Sequence, residues 1–316
     1  MQLNKIKLAL GFVTAAALAM PMLASAAADQ EKAMSNSSNW AHPRGQHDNQ
    51  GYSKLTQINK GNVKNLKAAW TLSTGVNRGH EGSPLVIGNM LYVHTAFPNN
   101  VYALDLNNSQ KVVWSYFPKQ DPSVQAVLCC DNVNRGLGYG NGKIFLQQND
   151  GVLIALDAKT GAKVWDTLVN DPKVGATNTN APHVIKDKVL TGCSGAEFGV
   201  RCFIAAYNID DGSLAWKAYS TGPDSEMLIG DGFNKDTPLY SALSVYEDVN
   251  GGNKEGGSFK RIPADKLQGG VADLGLKTWL KPQAVKDGWQ HGGGSVWGWW
   301  PYDAKTNLVY YGTGNP

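Results

Sequence analysis

Trp114, Trp165 and Trp216 stand 51 residues apart, and the stretch leading to each tryptophan is the same stretch rewritten. Ala155-Leu-Asp-Ala-Lys-Thr-Gly-Ala-Lys-Val-Trp165 returns as Ala206-Tyr-Asn-Ile-Asp-Asp-Gly-Ser-Leu-Ala-Trp216, and with one extra residue as Ala103-Leu-Asp-Leu-Asn-Asn-Ser-Gln-Lys-Val-Val-Trp114. Each copy reads as a strand ending in Ala-x-Asp or Ala-x-Asn, a tight turn centred on Gly or Asn/Ser, and a strand ending in Trp. A further short strand with its own turn precedes each copy, as in Asn141-Gly142 before Lys143-Ile-Phe-Leu-Gln147, or Lys186-Asp187-Lys188 before Val189-Leu190. Four short strands per ~50 residues is the period of a β-propeller blade. The fold class is therefore all-β. In such a ring a tryptophan ending one strand can pack against the glycine-containing turn of a neighbouring blade, which accounts for 36 Gly and 10 Trp together. Tryptophans serving only as ordinary sheet core would need neither a fixed spacing nor a shared turn.

About three clear repeats are present, whereas a ring must close to remove its sheet edges. The expectation is the N-terminal half or so of a longer propeller, which on its own would fold poorly and aggregate. Residues 219–290 break the rhythm and carry the loop Gly251-Gly-Asn-Lys-Glu-Gly-Gly257, so they read as an insertion. The start of the chain has another character. Lys5 and Lys7 precede an apolar run from Leu8 to Met20, followed by Pro21 and Ala24-Ser-Ala-Ala-Ala28. This is the pattern of a secretory signal peptide, residues 1–27, with an apolar run too short for a membrane span. The mature part, 28–316, would in a bacterium lie in the periplasm, where disulfides persist. Without Lys5 and Lys7 the formal net charge falls from +3 to +1, and no basic patch argues for a nucleic-acid partner.

Cysteine usage gains meaning from that compartment. Cys129 and Cys130 are adjacent, and either close a disulfide ring across one peptide bond or are unrelated neighbours. Cys193 and Cys202 form either a second bridge across a hairpin or a pair of buried free thiols; the thiol reading is preferred, because free cysteine packs as a small hydrophobe.

Chemistry-bearing residues gather near strand ends, which in a propeller surround one axial funnel. Glu81, Glu197 and Asn315 offer oxygen ligands to a hard cation. Arg135, Thr179 and Ser194 can grip carboxylates, and Trp297 offers a flat face to a planar ring. The run Gly136-Leu-Gly-Tyr-Gly-Asn-Gly142 is not a dinucleotide loop, since a strand follows it, and reads as a turn. No Cys-x-x-Cys-His haem motif occurs, and the six histidines have no metal-ligand spacing.

The combination of Cys129-Cys-Asp-Asn-Val-Asn-Arg135, Gly195-Ala-Glu-Phe-Gly-Val-Arg201 and Gly312-Thr-Gly-Asn-Pro316 resembles the pyrroloquinoline-quinone (PQQ)-dependent alcohol dehydrogenases, most closely the methanol dehydrogenase large subunits. The resemblance covers residues 39–316 and implies an eight-bladed propeller of quinoprotein type. It implies that the Cys129–Cys130 ring covers one face of the quinone and Trp297 the other. Glu81, Arg135, Thr179, Ser194, Gly195, Ala196 and Ser295 would hold the quinone's edge, with Ser295 standing where the family more often has threonine. Glu197 and Asn315 would bind the metal, a lanthanide(III) or calcium ion. The stretches 197–202 and 219–228 look more like the lanthanide-dependent members. The implied activity is oxidation of methanol or another small primary alcohol to the aldehyde, with hydride passing to metal-bound PQQ and electrons to a periplasmic cytochrome c. A homodimer or a small subunit is also compatible with the family. The family's catalytic base lies beyond the position of Pro316, so no base is assigned and Asp303 is not promoted to that role. Without that base these 316 residues are expected to be inactive alone, and as an open half-propeller with its funnel wall exposed they are expected to bind no quinone. The rival readings are a quinoprotein for ethanol, other alcohols or sugars, and a non-catalytic propeller scaffold.

Overall fold

The structure, a computed structural model, describes residues 29–222, 246–248, 259–261, 290 and 292–314. The signal-peptide reading of residues 1–27 and the metal-ligand reading of Asn315 lie outside the described residues. Two compact units are distinguished, one running to Thr221 and resuming at Gly292, the other spanning Gly222–His291. In the second, strands Tyr246–Asp248 and Phe259–Arg261 form an antiparallel hairpin.

The first unit is built from three successive four-stranded antiparallel meanders. β1 (Leu85–Ile87), β2 (Met90–His94), β3 (Val101–Asp105) and β4 (Lys111–Tyr116) form the first. β5 (Leu137–Gly140), β6 (Lys143–Gln147), β7 (Val152–Asp157) and β8 (Lys163–Leu168) form the second. β9 (His183–Ile185), β10 (Lys188–Thr191), β11 (Phe203–Asn208) and β12 (Leu214–Tyr219) form the third. Burial falls across each sheet: β5 and β9 are buried at every residue, whereas β12 is exposed at every residue. The first strand of the second and third blades is thus interior, β1 is buried at Leu85 and half-buried beyond it, and the fourth strand of each blade is an outer rim. Among the described residues, no helix is long and apolar enough to cross a membrane.

The hydrophobic core lies between blades. Leu85, Tyr92, Val101 and Trp114 of the first pack with Leu137, Ile144, Ile154 and Leu156 of the second. Phe145, Leu153 and Trp165 of the second pack with Val184, Val189, Phe203 and Tyr207 of the third. The far face of the third packs on Val296, Trp300 and Tyr302, the last of these in a short hairpin of Tyr302–Asp303 with Leu308–Val309.

The repeat explains how blades lock. In all three, the tryptophan pairs with the alanine of Ala-x-Asp/Asn, and the register shifts by one residue just before it: Ala103 faces Trp114, Ala155 faces Trp165 and Ala206 faces Trp216. This shared β-bulge twists the outer strand. Trp114 Nε1–H donates to the Ala158 carbonyl at 3.1 Å and Trp165 Nε1–H to the Ile209 carbonyl at 3.1 Å, so each indole reaches the turn of the following blade. The turn glycine beneath each ring leaves room for nothing larger. A Cβ on Gly161 would lie 2.6 Å from the Trp114 ring, and one on Gly212 2.5 Å from that of Trp165, both at left-handed φ of +72°. Gly161→Ala therefore combines overpacking with a disfavoured backbone, and is expected to destabilise the full-length protein by about 1–3 kcal/mol. The urea midpoint measures this, and an unchanged midpoint would contradict the interlock.

Two sequence expectations need correction here. The glycine run 136–142 is mostly a strand: Leu137–Gly140 is β5, and only Asn141-Gly142 turns. Its glycines let interior strands approach, since a Cβ on Gly138 would lie 2.7 Å from the Pro182 carbonyl. Strand alternation was masked because small residues replaced the usual apolar ones. Cys193 and Cys202 are also not free thiols but a disulfide. They lie just beyond the paired ends of β10 and β11, where Thr191 faces Ala205, and their Cα atoms are 5.3 Å apart, within the range a disulfide requires. Burial of both is complete, but burial does not argue against pairing.

Candidate functional site

Arg135, two residues ahead of β5, is the hub of the site. Its side chain is buried, with Nε 3.0 Å from Glu81 Oε2. Nη1 donates to Thr179 Oγ1 at 2.6 Å and to the Thr179 carbonyl at 3.2 Å. Thr179 Oγ1 in turn lies 3.2 Å from Ser194 Oγ. The guanidinium carbon stands 4.6 Å from the ring centroid of Trp297, a cation–π contact. Burial lowers the Arg135 pKa and the Glu81 carboxylate opposes that shift; an arginine remains charged in a protein. The backbone is fixed as well, because Arg135 N–H donates to the Thr179 carbonyl and Trp299 Nε1–H to the Arg135 carbonyl.

Cys129 and Cys130 are joined in a disulfide and exposed. Cys130, Asp131 and Asn132 are consecutive non-glycine residues in the left-handed region, at φ of 61°, 59° and 61°. Each such residue is rare, and strain of this kind persists only where the surroundings dictate it. They do so here. Asp131 accepts hydrogen bonds from Arg78 Nη1 at 2.8 Å and Gly79 N–H at 2.9 Å, which hold its carboxyl below the usual range. Asn132 N–H donates to the Cys129 carbonyl at 3.1 Å.

The remaining candidates occupy two neighbouring segments. Thr177 and Ser194 exchange backbone hydrogen bonds of 3.1 and 2.9 Å. Gly195 caps the short 3-10 turn Ala196–Phe198 at a left-handed φ of 108°; Ala196 is buried and Glu197 exposed. Ser295 is buried and bonded to Gly314 in both directions, at 2.7 and 3.0 Å. Trp297 is 39% exposed, leaving part of its indole open to a ligand. Glu81, Arg135, Thr179, Ser194 and Trp297 thus form one contacting set, while the Cys129–Cys130 ring and Glu197 stand outside its hydrogen bonds. Among the described residues no three His, Cys, Asp or Glu side chains converge as a metal centre.

Sequence reasoning missed the buried amides that hold this set. Asn149 Nδ2 donates to the carbonyls of Asn178 and Val133, and Asn178 Nδ2 to that of Gly192 at 2.6 Å. Asn99 Nδ2 donates to Asn149 Oδ1 at 2.8 Å. These amides fix the loop carrying Thr179, and their only sequence signal was asparagine recurring at strand ends.

A histidine pair lies beside Trp300, the residue after the tryptophan that holds Arg135. Arg44 N–H donates to His42 Nδ1, which places the neutral His42 proton on Nε2, 3.1 Å from His183 Nδ1. The His183 ring stacks on Trp300 with centroids 4.8 Å apart. Burial pushes His183 down to about 3 and His94 to about 4, and holds His42 well below its ordinary value. The native imidazoles stay neutral while the unfolded chain takes up protons below about pH 6.5. Stability is therefore fully present above pH 6.5 and falls with acidification, by up to about 1.4 kcal/mol per pH unit for each imidazole, until the native values are reached. Melting temperatures of the full-length protein at pH 7.5 and pH 5 check this; equal values would contradict it.

Residues 40–237 match the family model described as PQQ, glucose/ethanol/alcohol dehydrogenase, β-propeller domain. The chain belongs to this family of quinoprotein propellers. It is 48% identical over 268 residues to the lanthanide-dependent methanol dehydrogenase of Methylorubrum extorquens, covering 85% of this chain and 39% of that protein. Identity to methanol dehydrogenase (cytochrome c) subunit 1 of Methylobacterium organophilum is 44% over 320 residues, 96% of this chain and 46% of the relative. A solved europium-containing methanol dehydrogenase superposes with a TM-score of 0.72 at 41% identity, covering 91% of this chain and 44% of that one. The chain thus spans less than half the length of these relatives.

Proposed function

We propose that this chain is the quinone-gripping part of a periplasmic PQQ-dependent dehydrogenase that oxidises methanol or another small primary alcohol to the aldehyde and passes electrons to a cytochrome c. The observation that carries the reading is the Arg135 hub: a buried guanidinium tied to Glu81 and to two hydroxyls, beside a partly open indole. A planar cofactor bearing carboxylates fits that donor set, because arginine pairs with carboxylates by directed, charge-assisted bonds and the indole stacks on flat rings. When bound, PQQ supplies the hydride acceptor and its metal the Lewis acid.

The protein's residues bind and orient. Arg135, Thr179 and Ser194 would hold the carboxylate edge, with Ser295, Gly195 and Ala196 beside it. Cys129–Cys130 and Trp297 would offer the two covering faces. Glu197 and Asn315 would bind the metal, a lanthanide(III) in preference to calcium, in line with the similarity to the Methylorubrum extorquens protein. Dye-linked oxidation of methanol by the full-length protein, loaded with quinone and with either La(III) or Ca(II), tests this. Turnover with La(III) is expected. Turnover with Ca(II) alone would reverse the metal assignment, and no alcohol oxidation with either would overturn the function.

A further inference from the structure

We infer that the Cys193–Cys202 disulfide is a positioning clamp for the metal-binding and quinone-binding loop, and not only a staple of the fold. The inference rests on the reading that Glu197 holds a metal. The bridge spans a sequence separation of nine, and the segment it closes contains Ser194, Gly195, Ala196 and Glu197. That segment has little regular structure of its own: a 3-10 turn, Ala196–Phe198, flanked by left-handed Gly195 and Gly199. Glu197 is exposed, so the path of this loop's backbone decides where its carboxylate points.

Both half-cystines are completely buried, and both are tied to the second segment of the site. Cys193 N–H donates to the Val296 carbonyl at 3.1 Å, and Val296 N–H returns to the Cys193 carbonyl at 2.8 Å. Cys202 N–H donates to the Gly293 carbonyl at 3.0 Å, and its Sγ lies 4.0 Å from Ser295 Oγ. The covalent link joins the two ends of the Glu197 loop to each other, and these backbone hydrogen bonds hold the joined ends against the segment that carries Ser295 and Trp297. The groups proposed for the metal, the quinone edge and the quinone face share a single anchor. Partners that orient a metal's ligands tune its affinity even without touching it.

The test is calorimetric titration of La(III) into the quinone-loaded, metal-stripped full-length protein, comparing wild type with C193A/C202A. The clamp predicts metal binding weaker by about 10–100-fold in the variant, the range for loss of ligand-orienting partners. C193V/C202A, which fills more of the buried volume, serves if the alanine pair does not fold, and the same weakening is expected. A role in stability alone would lower the melting temperature and leave the La(III) Kd unchanged, and that result would overturn the proposal. If wild type itself binds no La(III), the metal reading fails and the clamp fails with it.

Discussion

Arg135→Met in the full-length protein abolishes stoichiometric quinone binding while leaving the propeller folded. The substitution keeps much of the side chain's bulk but removes the guanidinium that engages Glu81 and Thr179. Glu81 is 41% exposed and regains water when its partner goes, so the fold loses little. The quinone would lose its charge-assisted hydrogen bonds, worth about 1.5–3 kcal/mol each. Two such bonds correspond to about 100-fold or more in affinity. Quinone absorbance retained through gel filtration reads the effect directly. A variant that keeps its quinone at wild-type stoichiometry would show that Arg135 serves the scaffold alone.

Trp165→Ala is the largest expected loss of stability. The indole is buried between β8 and the turn of the third blade, with its N–H on the Ile209 carbonyl and its ring 5.7 Å from that of Phe145. Truncating a core tryptophan costs about 3–5 kcal/mol. Trp165→Phe keeps the ring contact and loses the hydrogen bond, which predicts an intermediate loss. Denaturant midpoints of the two variants order them. A loss under about 1 kcal/mol for the alanine variant would mean that the blades are not locked through this residue.

The repeat was legible because it is a local pattern with a mechanical reason. The alanine faces the tryptophan at the bulge, and the turn glycine must be bare to lie under the indole of the preceding blade. The copy ending in Trp114 shows the cost of departing from it: Ser109 and Gln110 take the left-handed conformations that the other turns give to glycine. β5 escaped notice because alternation needs side chains, and Gly138 and Gly140 have none. The site was legible in part. The residues of the Arg135 hub stood out through motif and type, whereas the asparagines behind it serve loops distant in sequence, and nothing local marks an amide that bonds 29 residues away. The Cys193–Cys202 bridge depended on strand register, which spacing alone does not specify. Ala68-Ala69-Trp70 repeats the outer-strand ending, yet Trp70 is exposed and pairs with no strand among the described residues.

The central claim is that the quinone lies against Arg135 between two particular surfaces, and a crystal structure of the quinone-loaded, full-length protein tests it most directly. The account predicts the tricyclic ring between the Cys129–Cys130 disulfide and the indole of Trp297, with its carboxylates on Arg135, Thr179 and Ser194. A quinone found elsewhere on the propeller, or held there without contact to Arg135, would contradict it.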